Sequence, residues 1–176
     1  MIKNKDKSAV FLNALQMQIS LPNNVVYTDL GKINDHNFNE EGEFGTIIYA
    51  VDQETREFNL FVRTKASLTE YKSIFAAGHE EGHALHIMGR LGELYREAKQ
   101  YGLFFDFLTE KDASRYDRMA CANLASDAPT TSSHKMLEES PKENIAHIGG
   151  LVALIKSGID IEIVKSMGEL MMEDSQ

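Results

Sequence analysis

The stretch that most limits how this chain can fold is "GHEEGHALHIMGR", residues 78 to 90. It lies inside a longer segment, "YKSIFAAGHEEGHALHIMGRLGELYREAKQ", that otherwise reads as one helix starting at the capping-box spacing of Ser67 and Glu70 and closed by Gly102. Four glycines, Gly78, Gly82, Gly89 and Gly92, fall within that helix. Each costs roughly 1 kcal/mol relative to alanine in a helix interior, so something must compensate. Close approach of another backbone is the usual structural reason, and a site assembled between two helices would demand it.

The same stretch carries a chemical pattern. On a helix, residues four apart project from nearly the same side, so the imidazoles of His79 and His83 can converge on one cation, with Glu80 rotated by about 100°. Two neutral imidazoles suit Zn²⁺, and a neighbouring carboxylate can take the proton of a water polarised by the ion. Glu80 is placed for that role. The competing reading is two histidines hydrogen-bonded in a helical core. His86 lies on the same stripe as His79, but about 10 Å along the axis, too far for one straight helix to bring three imidazoles to one ion. It is read as a supporting or core residue. The third ligand is expected from another helix, with Glu110, Asp112, Asp117, Glu138, Glu139 and Glu143 as the available carboxylates.

Around this stretch the chain is read as follows. Residues 8 to 19 place Val10, Phe11, Ala14, Leu15 and Met17 at helical spacing. The N-terminus begins like a signal peptide, but Asp6, Asn13, Gln16 and Gln18 interrupt that pattern, and an amphipathic helix is expected. "VVYTDL" reads as a short strand and "DHNFNEEGEFG" as an acidic loop. "GTIIYAVD" and "EFNLFVRT" read as a β-hairpin, the second strand being either an edge open to an extended peptide or a central strand. A helix is expected from Ala113 to about Ser126, then a loop. Another starts with Ser140 as cap and Pro141 at its first position and ends at Gly158, and a last one runs from Ile161 to about Met172.

With 176 residues, 43% of them hydrophobic, the chain is expected to form a single domain. A net charge of −9 and a pI near 5.1 argue against nucleic acid or an anionic membrane as partner, since both need a basic face. The single cysteine, Cys121, allows no internal disulfide, and a cytoplasmic location is expected.

A second element, "ENIAHIGGL" at residues 143 to 151, follows sixty residues after His83. Together the two resemble neprilysin-like zinc endopeptidases, which carry GHExxHxFDxxGR and, about that far downstream, ENIADxGGL. Gly78, His79, Glu80, His83, Gly89 and Arg90 match the first motif; Glu143, Asn144, Ile145, Ala146, Gly149, Gly150 and Leu151 match the second. "GHALH" also looks like the thimet-type oligopeptidases, another zinc family with a glutamate ligand. The resemblance implies zinc held by His79, His83 and Glu143, with Glu80 as general base, in an α+β, zincin-like fold: a small antiparallel sheet packed on a long HExxH helix, with further helices. The implied activity is hydrolysis of a peptide or protein substrate.

The departures are specific. Where the family has supporting aspartates, this chain has His86 and His147, which can accept a hydrogen bond from a ligand histidine but bring no negative charge. Beyond Glu143 it has neither the arginine nor the further histidine that steady the family's intermediate, which leaves His134, Tyr95 and Tyr116 as substitutes. "SPKE" is also a capping box in its own right, in which Glu143 would reach back to Ser140; Asp117 is then the reserve ligand. Three alternatives stay open: a minimal metallopeptidase, a catalytically weak or inactive metal-binding regulatory module, and a metal-free helical protein.

Overall fold

A computed structural model describes residues 2–3, 9–38, 44–103, 108–127, 129 and 139–174, with side chains not described at 2–3, 139–142 and 171–174. Among these residues the fold is α+β. A four-stranded sheet holds β1 (Ile2–Lys3), β4 (Val25–Ile33), β5 (Gly45–Val51) and β6 (Phe58–Lys65), and a separate hairpin holds β2 (Ala9–Leu12) and β3 (Met17–Ser20). Five helices follow: α1 (Glu70–Met88), α2 (Leu91–Gln100), α3 (Glu110–Ala125), α4 (Glu139–Lys156) and α5 (Ile161–Asp174).

The sheet order is β1-β4-β6-β5, and the sheet is mixed rather than antiparallel. β5 and β6 form the expected antiparallel hairpin, Ile47 opposite Val62 and Tyr49 opposite Leu60. β6, however, inserts beside β4 and runs parallel to it, Tyr27 opposite Leu60. "EFNLFVRT" is therefore central, and its hairpin partner β5 lies at one edge of the sheet. The reason lies in its alternation: Phe58, Leu60, Val62 and Thr64 are buried while the residues between them are half-buried, so β6 needs neighbours on both edges and cover on both faces.

Residues 9 to 20 do not form a helix. The chain turns between Leu12 and Met17, with Gln16 at φ 49°, and Ala9 pairs with Ser20. Leu12, Leu15, Met17 and Ile19 are buried and Gln16, Gln18 and Ser20 exposed, a period-two pattern on β3 that the helical reading missed. A tertiary contact decides it. The Glu81 carboxylate of α1 accepts the backbone N–H groups of Ala14 (3.0 Å) and Leu15 (3.1 Å), which would otherwise be buried without partners in the turn.

The long helix is two helices. Gly89 takes the left-handed conformation (φ 73°), its N–H bonds the His86 carbonyl and the Arg90 N–H bonds that of Leu85, the pattern of a Schellman stop. Arg90 straps the break to β3 by donating from Nε to the Ser20 carbonyl at 3.0 Å. The expected Ser67 cap is not made. Thr69 is the N-cap residue, and Ser67 instead donates its backbone N–H (3.1 Å) and its hydroxyl to Asp35. α3 starts at Glu110, three residues before Ala113, because Thr109 and Asp112 form a capping box. α4 already includes Ser140, so Ser140 is not the cap; Pro141 sits in the first turn, where a missing N–H costs nothing. Its end at Gly158 and the start of α5 at Ile161 agree with the sequence reading. One core joins the sheet, through Val25, Tyr27, Phe58 and Leu60, to α1, α2 and α4, through Leu85, Met88, Leu94, Ile148 and Val152.

A candidate metal centre between two helices

The glycines of α1 are explained by α4. A Cβ on Gly78 would lie 2.5 Å from the Cβ of Ala153 and 2.6 Å from the Gly149 carbonyl oxygen, and one on Gly82 would lie 3.2 Å from the Cα of Ala146. The two backbones thus run in contact, at a separation that no larger residue permits. This proximity lets short side chains on the two helices meet.

They meet at His79, His83 and Glu143. His79 Nε2 lies 3.1 Å from one Glu143 oxygen and His83 Nε2 lies 3.4 Å from the other. One donor atom from each of the three residues falls within 4.8 Å of the others, the one such group among the described residues that could hold a metal ion. The donor set fits a small divalent cation: ligand atoms about 2.0–2.1 Å from a tetrahedral ion are themselves about 3.4 Å apart. His79 and His83 side chains are 14% and 7% exposed and that of Glu143 37%, so the group is walled by protein on the histidine side and open to solvent beside the carboxylate. Burial alone would raise the Glu143 pKa, but hydrogen bonds from His79 and His83 outweigh it and hold the carboxyl well below its ordinary range. Glu143 is engaged across the helix interface rather than folded back on the start of α4.

Two further residues complete the surroundings. Glu80 is buried, and its Cγ and Oε1 would be 3.0 and 3.4 Å from a Cβ on Gly45, the first residue of the edge strand β5. Sequence reasoning did not single out Gly45; its absent side chain is what leaves room for this carboxylate. His147, one turn beyond Glu143 on α4, places its Nδ1 3.1 Å from the Nδ1 of His79. Burial, and then the neighbouring His79, push the His147 pKa down to about 4, so the ring is neutral at pH 7.

The remaining sequence candidates are engaged elsewhere. Asp117 accepts the N–H groups of Leu91 (2.7 Å) and Gly92 (2.9 Å), capping α2 where α1 breaks; burial raises its pKa and these bonds oppose the rise. Asp112 belongs to the α3 cap, with Glu110 beside it in the same first turn. His86 is buried with its ring 5.9 Å from that of Tyr116, which also packs on the core and lies under the Arg115 guanidinium. Tyr95 packs on the core. Glu138 and His134 lie outside the described residues, as does the Glu139 side chain. No described helix is long and apolar enough to cross a membrane.

Comparison with protein-family models, with curated proteins and with solved structures finds no match for this chain.

Proposed function

We propose that the chain is a small zinc-dependent metallopeptidase of gluzincin type with a zincin-like fold, cleaving peptide bonds in a peptide or protein substrate. The observation that supports it most is the meeting of the two Nε2 atoms from α1 with the Glu143 carboxylate from α4, at 3.1 and 3.4 Å, one ligand atom from each residue lying within 4.8 Å of the others. His79, His83 and Glu143 would hold the ion. When bound, the ion supplies a Lewis acid that polarises the scissile carbonyl and acidifies a water.

The chain's own residues then do the rest. Glu80, one residue after a ligand and turned toward β5, accepts the proton of the attacking water and returns it to the leaving nitrogen. Among the described residues β5 is an edge strand of the sheet, the kind of strand that can pair with an extended substrate and align the bond to be cut. Glu80 is buried, so its carboxylate has few orientations to choose from. A reducing, cytoplasmic setting suits a chain whose single cysteine is unpaired.

A second reading is a metal-binding regulatory module with little or no catalytic power. It is favoured by the lack, beyond Glu143, of the arginine that would steady a tetrahedral intermediate. The test is elemental analysis of protein purified without a His tag or added metal, followed by a peptide-library assay. One zinc per chain, with cleavage that disappears in Glu80→Gln while the zinc stays, supports the peptidase; one zinc with no cleavage by the wild type supports the module. A zinc-free wild type, even after zinc is offered, sinks both.

A further inference from the structure

One corner of the sheet is cationic in a chain whose net charge is −9. Arg63 places its guanidinium carbon 4.8 Å from the centre of the Phe38 ring, and Lys65 places its Nζ 5.5 Å from the same centre. Lys72, in the first turn of α1, holds its Nζ 5.6 Å from the centre of the Phe44 ring. Asp35 acts on Lys65 and offsets part of this charge. Arg63 and Lys72 form no ion pair among the described residues.

This corner adjoins the candidate site. A Cβ on Gly45 would meet the Glu80 Cγ at 3.0 Å, so Gly45 faces α1. Side chains alternate along a strand, so Phe44 and Thr46 face the other way, together with Lys65 and Arg63 opposite them on β6. The Lys65 N–H donates to the Phe44 carbonyl at 2.9 Å. In an antiparallel ladder the backbone groups of Phe44 and Thr46 then turn to β6, and those of Gly45 and Ile47 turn to the outer edge. A peptide extended along that edge pairs with Gly45 and Ile47 beside Glu80. Every second side chain of such a peptide lies on the face that carries Phe44, Thr46 and Arg63.

We propose that this corner is a carboxylate subsite: the peptidase favours peptides with an acidic group beside Phe44 and Thr46, either an Asp or Glu side chain or a free C-terminus. The inference rests on the peptidase reading above and names its substrate class. Arg63 and Lys72 supply the charge, the guanidinium as a planar fork and the ammonium as a point charge. Lys72 is exposed and Phe44 is 44% exposed, so a ligand reaches this corner without any opening of the fold.

The test uses the zinc-loaded full chain and fluorogenic peptides of one parent sequence. A single Glu replaces Gln at each position in turn, and the C-terminus is either a free acid or an amide; the first series detects a side chain and the second a terminus. One Glu position, or the free acid, should raise kcat/KM about 10-fold, through KM. The advantage should shrink several-fold at about 0.5 M NaCl, because contacts between partly exposed charges are screened. Lys72→Gln and Arg63→Gln should each cut it several-fold, and Lys99→Gln, at an exposed position on α2, should leave it as it is. An advantage that is insensitive to salt, that survives both substitutions, or that falls equally in Lys99→Gln overturns the proposal. The salt response needs no variant and decides the matter if Arg63→Gln fails to fold. A wild type that cleaves none of the peptides removes the peptidase reading and this inference together; cleavage with no carboxylate advantage at any position removes this inference alone.

Discussion

Helix α1 takes part in burying two carboxylates, and their fates are opposite. At its contact with α4, Glu143 meets two imidazoles and is held well below its ordinary pKa. At its contact with the β2–β3 hairpin, Glu81 meets two backbone N–H groups and burial pushes it up to about 7 from 4.5, although those bonds oppose the rise. Both regions take a carboxylate out of water, which by itself favours the neutral acid. What differs is the compensation. Imidazole partners, able to carry charge or to share a cation, outweigh the desolvation of a half-open group, whereas two peptide dipoles do not outweigh that of a fully enclosed one. The first arrangement is suited to an ion and the second to holding a turn.

The contrast breaks most sharply at Glu143. Replacing it by alanine should abolish stoichiometric zinc in elemental analysis and leave the fold intact by far-UV circular dichroism, while Asp117→Ala should retain zinc. Zinc lost in the Asp117 variant and kept in the Glu143 variant would reverse the assignment. At the other region, Glu81→Ala should bind zinc as long as it folds but lose about 2–4 kcal/mol of stability in urea unfolding. The loss comes from the buried Ala14 and Leu15 N–H groups left without an acceptor.

Gly78→Ala probes what the two regions share, the placement of α1. The new methyl would meet Ala153 and the Gly149 carbonyl, so both stability, by about 1–3 kcal/mol, and zinc affinity should drop as the helices part. A variant that keeps both would mean that the helices can shift without consequence.

Protonation sharpens the comparison further. Because the folded Glu81 binds its proton more tightly than the unfolded chain does, its contribution to stability is fully present below about pH 4.5 and is lost as the pH rises through about 7. His147 acts in the opposite direction: its contribution is present above about 6.5 and is lost as the pH falls through about 4. In chelator-treated protein, Glu81→Gln should therefore gain on the wild type steadily between pH 4.5 and 7, with a plateau above. A difference that does not change with pH would show that Glu81 titrates normally. The smallest effect is expected at Gly45→Ala, where a methyl would press on the Glu80 side chain and the Arg63 carbonyl oxygen: a few-fold loss of any peptide hydrolysis, with metal content unchanged.

How much of this was legible in the chain depended on whether the signal was local. The β5–β6 hairpin could be read from β-branched and aromatic runs flanking a polar turn, and Gly158 marked the end of α4. The break at Gly89 was signalled by the glycine but lost beside Gly78 and Gly82, which serve close packing. The N-terminal hairpin could not be read correctly, because Val10, Phe11, Ala14 and Leu15 satisfy a helical period, and the residue that chooses, Glu81, is sixty-six residues beyond Leu15. The central position of β6 and its parallel pairing with β4 are likewise decisions about neighbours.

By itself the sequence determined the residue types and spacings of the candidate site: two histidines a helical turn apart, a glutamate between them, glycines that invite a second helix, and a distant glutamate on a helix of its own. Spacing along one helix is fixed by its pitch, so these features follow from local geometry. The resemblance of "ENIAHIGGL" had already pointed to Glu143 among six carboxylates and to His147 as a support, but only the tertiary structure brought Glu143 and His147 against the histidines, made Asp117 a helix cap, and turned Glu80 and its neighbour Glu81 to a strand edge and a hairpin turn. Each of those choices depends on which helix or strand packs against α1, and burial chooses that partner over the whole chain at once.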